Sequence, residues 1–221
     1  MLELLQKRIV ECDRCPRLRA HCRAVAETKR RAYRDQEYWG RPVPSFGDPL
    51  ARLLIVGLAP GAHGANRTGR MFTGDASGDF LYSAMHATGW ASQPTSAHRG
   101  DGLTLIDCYI TAAGRCAPPD NKPLPEELQR CRPYLVEELR LLNRVQVVVA
   151  LGRIAFDTCL TVFGAVKSRY IFAHDRLHEL GGGQPLLISS YHPSRQNTST
   201  GRLTQPMLRD VFARAKKLVP T

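Results

Sequence analysis

The chain has 221 residues, of which 43% are hydrophobic and 23% charged, a balance that suits a single folded domain and excludes disorder along the whole length. The 31 Lys and Arg residues outnumber the 20 Asp and Glu residues and leave a net charge of +11, which points to a polyanionic partner. There is no apolar run of the length that crosses a membrane, and Met1 to Val10 carries Glu3, Lys7 and Arg8 instead of an apolar signal core, so the expected location is the cytoplasm, away from any membrane.

Met1 to about Arg34 reads as helical and basic, interrupted by the turn Cys12-Asp13-Arg14-Cys15-Pro16. Tyr38 to Pro49, with Pro42, Pro44 and Pro49, is irregular. Arg52 to Gly57 is a buried strand, and it gives way to a loop from Gly57 to Asp75, GLAPGAHGANRTGRMFTGD. Asp75 or Ser77 caps a helix running to about Thr88, with Phe80, Leu81, Ala84 and Met85 at helical spacing. A surface loop from Gln93 to Gly102 precedes a second strand, Leu103 to Ala113, and a second special loop, Gly114 to Pro125.

Pro125 opens a helix to about Leu142 on which Leu128, Cys131, Leu135, Leu139 and Leu142 recur every three or four residues. Val145 to Leu151 is almost continuously apolar, as strands buried on both faces are, and Gly152 starts a helix to about Phe163. Leu186 to Ser190 is a fourth strand that runs into Tyr191-His192-Pro193-Ser194-Arg195-Gln196-Asn197, before a last helix from about Thr204 to Leu218. Strands alternating with helices specify an α/β fold, a three-layer α/β/α sandwich with a mostly parallel sheet. Ligands of such sheets bind beyond the carboxyl ends of the strands, where the three unusual loops meet.

Seven cysteines in a reducing compartment argue against a disulfide framework and toward metal binding, catalysis or burial. Cys12 and Cys15 form a C-x-x-C pair, Cys116 lies in the second loop, and Cys131 follows on the next helix. Four thiols brought together by the fold hold a four-cysteine zinc ion or an iron-sulfur cluster equally well. Cys108 in a strand and Cys159 in a helix read as buried packing residues, and Cys22 has no partner in the pattern.

The stretches GLAPGAHGANRTGRMFTGDASGDFLY (Gly57 to Tyr82), AAGRCAPPDNKP (Ala112 to Pro123) and YHPSRQNTSTGRLT (Tyr191 to Thr204) together resemble the fifth, or type B, family of the uracil-DNA glycosylase superfamily. The resemblance covers nearly the whole chain. It implies a four-stranded parallel sheet and an enzyme that removes uracil, and other deaminated or damaged bases such as hypoxanthine, from DNA. Its expected partner is double-stranded DNA, with single-stranded DNA as a further candidate, and the expected state is a monomer. It also implies that Cys12, Cys15, Cys116 and Cys131 hold a [4Fe-4S] cluster in place of zinc, as a structural tie.

Releasing a base from deoxyribose needs a platform for the extruded base, a group that steadies positive charge on the sugar, and a donor to the departing base. By resemblance Phe72 stacks on the base while the backbone of Gly57, Ala59 and Gly61 wraps it; the plain alternative is a core aromatic. No carboxylate or amide lies within Gly57 to Gly61, so Asp75 takes the role of orienting water or stabilising the sugar, although a helix cap is the competing reading. His192 donates to the base carbonyl, against a structural histidine, and Asn121 reads the base edge, against a turn asparagine.

His63 and Asn66 are candidates for base or phosphate contacts, against side chains that simply satisfy backbone groups of the loop. Arg67, Arg70, Arg195 and Arg202 are candidates for phosphate. Ser194 belongs to the same DNA-facing set, and Arg195 or Gln196 must fill the vacated stack, because this chain lacks the leucine wedge that relatives place after His-Pro-Ser. A non-catalytic iron-sulfur DNA-binding protein remains the rival reading. A two-magnesium nuclease is disfavoured, since the loops hold no suitable cluster of carboxylates.

Overall fold

A computed structural model describes residues 1–219. The chain forms α1 (Leu2–Val10), α2 (Pro16–Thr28), a 3-10 turn (Arg31–Tyr33), β1 (Phe46–Gly47), β2 (Leu53–Gly57), α3 (Ala65–Thr68) and α4 (Ala76–Ala87). There follow β3 (Cys108–Ala112), a second 3-10 turn (Pro119–Asn121), α5 (Pro125–Leu141), β4 (Val147–Leu151) and α6 (Arg153–Val162). A third 3-10 turn (Lys167–Arg169), β5 (Arg176–His178), β6 (Leu186–Ser190), α7 (Arg195–Ser199) and α8 (Gln205–Leu218) complete it.

The sheet has the order β1-β3-β2-β4-β6-β5. Its four central strands are the four expected and run parallel. Two short edge strands, β1 and β5, add antiparallel pairs outside β3 and β6, so the sheet has six strands where four were expected. The second strand starts at Cys108 and not at Leu103. Asp107 explains this, because its backbone is left-handed at φ 52 and its carboxylate accepts from the Arg52 N–H at 2.9 Å and Nε at 2.8 Å.

Alternation along the central strands sends side chains to two cores. Leu53, Ile55, Val147 and Val149 pack with Leu81, Met85, Val211 and Phe212 of α4 and α8. Leu54, Val56, Val148 and Ala150 pack with Leu135, Phe156 and Leu160 of α5 and α6. Every residue of β2, β3 and β4 is buried, as expected for parallel strands covered on both faces.

α1 and α2 are split at the Cys12 to Pro16 turn, with Pro16 opening α2. The second helix ends at Thr28, before the expected Arg34, where Lys29 turns left-handed at φ 51. In α5, Glu138 is fully buried and pairs with Arg115 Nη2 at 2.5 Å, while its carboxylate also accepts from Thr111 at 2.6 Å and Gln6 at 3.0 Å. This network ties α1, β3, the loop after β3 and α5 together inside the protein.

Candidate active site

The loop leaving β2 brings Phe72 back over the strand's own end. A Cβ at Gly57 would lie 2.8 Å from two atoms of the Phe72 ring, so the ring rests on bare backbone and glycine is what lets it approach. Phe72 is half-buried and held at φ 51, a strained conformation for an aromatic residue and one that clusters at functional sites. Gly78 of α4 makes room for that bend, because a Cβ there would strike the Phe72 carbonyl oxygen. The loop leaving β6 faces it with His192, whose ring centroid lies 5.9 Å from that of Phe72 at an interplanar angle of 33°.

Burial holds the His192 imidazole down to about 4, so it is neutral at physiological pH and carries one N–H donor. Its carbonyl accepts from Asn197 Nδ2 at 2.9 Å, and a Cβ at Gly152 would meet the His192 Cβ at 3.1 Å. The histidine is therefore set between the ends of β4 and β6.

Asp75 takes the helix-cap role that is its competing reading, and it also reaches into the loop after β2. As N-cap of α4 it accepts from the Gly78 N–H through Oδ1 at 3.0 Å. Its Oδ2 enters the loop after β2: a Cβ at Gly61 would stand 2.9 Å from it, and one at Gly64 would collide with it. Burial raises the carboxyl above the ordinary aspartate range, and the Gly78 and Ser77 N–H groups only partly offset this. Phe72 lies three residues before Asp75 on the same loop.

Three loop residues lie elsewhere than their expected DNA contacts require. Asn66 is wholly buried, with Nδ2 donating to Cys22 O at 3.3 Å. Arg67 is 8% exposed, donates to Gly74 O at 2.6 Å and His63 O at 2.7 Å, and stacks 3.9 Å over the Tyr33 ring. Arg70 is 4% exposed and pairs with Asp101 at 2.7 Å, besides Thr73 and Ser96 at 2.9 Å each. These side chains are spent on fixing the loop and are turned away from any phosphate. His63 is half-buried and shares a 3.0 Å hydrogen bond with the Tyr38 hydroxyl.

The other candidates remain on the outside. Asn121 is exposed at φ 56 in the 3-10 turn after β3; its backbone N–H donates to Pro118 O at 3.2 Å, and its side-chain amide has no hydrogen-bond partner among the described residues. Ala59 lies between the loops: a Cβ at Gly114 would contact its Cβ at 3.4 Å, and the two loops are joined by Ala113 N–H to Gly57 O and Gly114 N–H to Leu58 O, both 2.9 Å. Ser194 caps α7 by accepting from Asn197 N–H at 3.4 Å. Arg195 and Gln196 stand exposed on α7, and exposed Arg202 lies 4.6 Å over the Tyr191 ring.

The family model described as the Uracil DNA glycosylase superfamily matches residues 44–216. The chain is 54% identical over 216 residues to the type-5 uracil-DNA glycosylase of Thermus thermophilus, covering 98% of this chain and 97% of that protein. It is 46% identical over 208 residues to the type-5 uracil-DNA glycosylase of Pyrobaculum aerophilum, covering 94% and 89%. This chain belongs to the uracil-DNA glycosylase superfamily. A type-4 uracil-DNA glycosylase of Archaeoglobus fulgidus is more distant, at 32% identity over 178 residues, covering 77% of this chain and 76% of that protein.

Within this superfamily member the four patterned thiols, Cys12, Cys15, Cys116 and Cys131, line one cavity with Leu18, Pro42 and Leu128. Burial raises Cys15 and pushes Cys131 up to about 11, and neighbouring thiols push in the same direction. The Arg115 backbone N–H donates to Cys131. Among the described residues no three His, Cys, Asp or Glu side chains close on a single point as a site for one metal ion. The four thiols that share this cavity are the soft donor type that zinc or an iron-sulfur cluster takes up, and Arg14, Arg19, Arg115 and Arg130 lie on the cavity wall.

Sequence spacing missed the fifth thiol. Cys22 is wholly buried, packs in one cluster with Leu18, Cys116 and Ala117, and donates to Ala117 O at 3.7 Å. Also missed were Gly64 and Gly78, whose lack of a side chain admits Asp75 and bends Phe72, since a glycine in a glycine-rich loop carries no mark of what it makes room for.

Proposed function

We propose that this protein is a DNA glycosylase of base-excision repair, which takes uracil and other deaminated or damaged bases, hypoxanthine among them, out of DNA and hydrolyses the N-glycosidic bond. The observation that carries the reading is the pairing of Phe72 and His192 across the ends of β2 and β6, with Asp75 in the same loop as Phe72. Membership of the superfamily gives this pairing its chemical context.

An extruded base stacks on the exposed face of Phe72 and is wrapped by the Gly57, Ala59 and Gly61 backbone. As the bond from the sugar carbon to the base nitrogen breaks, its electron pair leaves with the base, and a base carbonyl gains negative charge. Neutral His192 donates its N–H to that oxygen, an interaction that strengthens as charge develops. Ionised Asp75 stabilises the positive sugar and orients the water whose oxygen bonds to the sugar carbon. One proton of that water passes to the base anion and the other stays on the new sugar hydroxyl, which leaves an abasic site. Asn121, exposed in the 3-10 turn after β3, reads the base edge, and exposed Arg195, Gln196 and Arg202 face the DNA.

Cys12, Cys15, Cys116 and Cys131 are the residues that would hold a [4Fe-4S] cluster, supported by their shared cavity and its arginines. Such a cluster supplies a cross-link between the α1–α2 turn, the loop after β3 and α5, and the hydrolysis draws no electron from it. A broad visible absorption band with iron and sulfide in the purified protein supports the cluster; stoichiometric zinc without that band refutes it.

The glycosylase reading is tested with duplexes that each hold one altered base, followed by alkali and separation of the strands. Strand breaks at the altered base, appearing only after alkali, are expected. Intact strands would leave a binding protein, and breaks formed before alkali in a metal-dependent manner would indicate a nuclease.

A further inference from the structure

The residues after α2 carry a dense cationic run, Lys29-Arg30-Arg31 followed by Arg34. Arg30, Arg31 and Arg34 are exposed. None of the three enters an ion pair among the described residues, whereas Arg8, Arg17, Arg52, Arg70, Arg115, Arg153 and Arg214 all do. Asp35 and Glu37 are the exposed acids next along the chain and do not neutralise the run. Three bare guanidinium groups are a footprint for phosphate, whose geometry the guanidinium fork matches.

What makes this run more than a charged surface is its attachment to the active-site loop. Arg67, which leaves that loop inward, stacks 3.9 Å over the ring of Tyr33 in the middle of the run and donates to Gln36 Oε1 at 2.5 Å. The Arg30 backbone N–H donates to the Tyr38 hydroxyl at 3.3 Å, and that hydroxyl bonds His63 of the same loop at 3.0 Å. Residues 30–38 are thereby built onto the segment that carries Phe72 and Asp75.

We propose that Arg30, Arg31 and Arg34 form a grip for the phosphates of DNA entering the pocket, and that Arg67 is the positioning residue which holds this grip in place through Tyr33. The inference rests on the glycosylase reading for the identity of its partner, but it is read by binding and not by base release. Arg67 thus serves DNA binding without touching DNA.

The test measures the affinity of the full-length protein for an abasic-site duplex between 50 and 200 mM salt, conditions over which phosphate neutralisation dominates. The variant R30Q/R31Q/R34Q is expected to flatten the dependence of log affinity on log salt by about 0.9 for each phosphate no longer neutralised, about 2.7 for all three. Single-turnover base release at saturating protein is expected to stay within about twofold, because the grip does not touch the reacting atoms. Tyr33→Leu keeps every charge and is expected to flatten the slope by about 0.9 or more, with thermal unfolding reporting that both variants fold. An unchanged slope in the triple variant overturns the grip. A flattened slope there with an unchanged slope in Tyr33→Leu overturns the role of Arg67. Normal salt-dependent binding by a protein that releases no base would overturn the glycosylase reading and leave the grip standing.

Discussion

The loops that leave β2 and β6 are both rich in arginine and small polar residues, yet they use those residues in opposite ways. In the first, Arg67 and Arg70 are buried and make seven hydrogen bonds between them to protein atoms. In the second, Arg195 and Gln196 stand exposed on a single turn of helix. The first loop has to bend an aromatic residue to φ 51 and admit a carboxylate between two glycines, and guanidinium groups with several fixed donors brace such a path. The second loop places one histidine at the end of a strand and needs no such bracing. An arginine in a nucleic-acid enzyme is therefore a phosphate contact only when nothing inside the protein has claimed it.

Breaking the chemistry of the first loop without breaking its frame has the largest expected effect. Asp75→Asn keeps a good helix cap and should fold normally while base release falls about 10²- to 10⁴-fold, measured by single-turnover excision. A rate close to that of the unaltered protein would remove Asp75 from the mechanism. The pH profile sharpens the same point. The proposed role of Asp75 needs the ionised form and burial raises its carboxyl, so on that reading activity should fall with decreasing pH at a higher pH than an ordinary aspartate would dictate. His192, held down to about 4, should add no inflection near the usual histidine value of about 6.5.

Next comes the frame itself. Asp101→Ala leaves Arg70 as a buried cation without its partner and should lower stability by about 3–5 kcal/mol in urea unfolding. A loss below about 1 kcal/mol, the scale of exposed pairs, would mean that the pair is screened by solvent. Gly64→Ala pushes on Asp75 Oδ2 and should cost about 10²-fold in excision, the scale set by small misplacements of a catalytic group, while affinity for an abasic duplex is kept. Arg195→Ala should have the smallest effect: stability within about 0.5 kcal/mol, and a salt slope of DNA binding flatter by about 0.9 if the side chain meets one phosphate.

The central architecture was legible because its signal is local. β4 and β6 are apolar runs that the structure places at 147–151 and 186–190, and Pro125 does open α5. β1 and β5 were not legible, since two and three residues carry no periodicity and owe their conformation to the strands beside them. Phe72, Asp75 and His192 were singled out by motif and by chemical need. The inward turn of Arg70 depended on Asp101, thirty-one residues away, and the packing of Cys22 against Cys116 on a fold that brings together distant parts of the chain. Neither separation leaves a mark that spacing alone reveals.

The two short edge strands carry a consequence for how the molecule behaves in a crowded cell. A long flat edge displays a row of unpaired backbone groups on which another chain can add itself. Here each flank closes with a strand of two or three residues running against its neighbour, which leaves little template for runaway strand addition during folding.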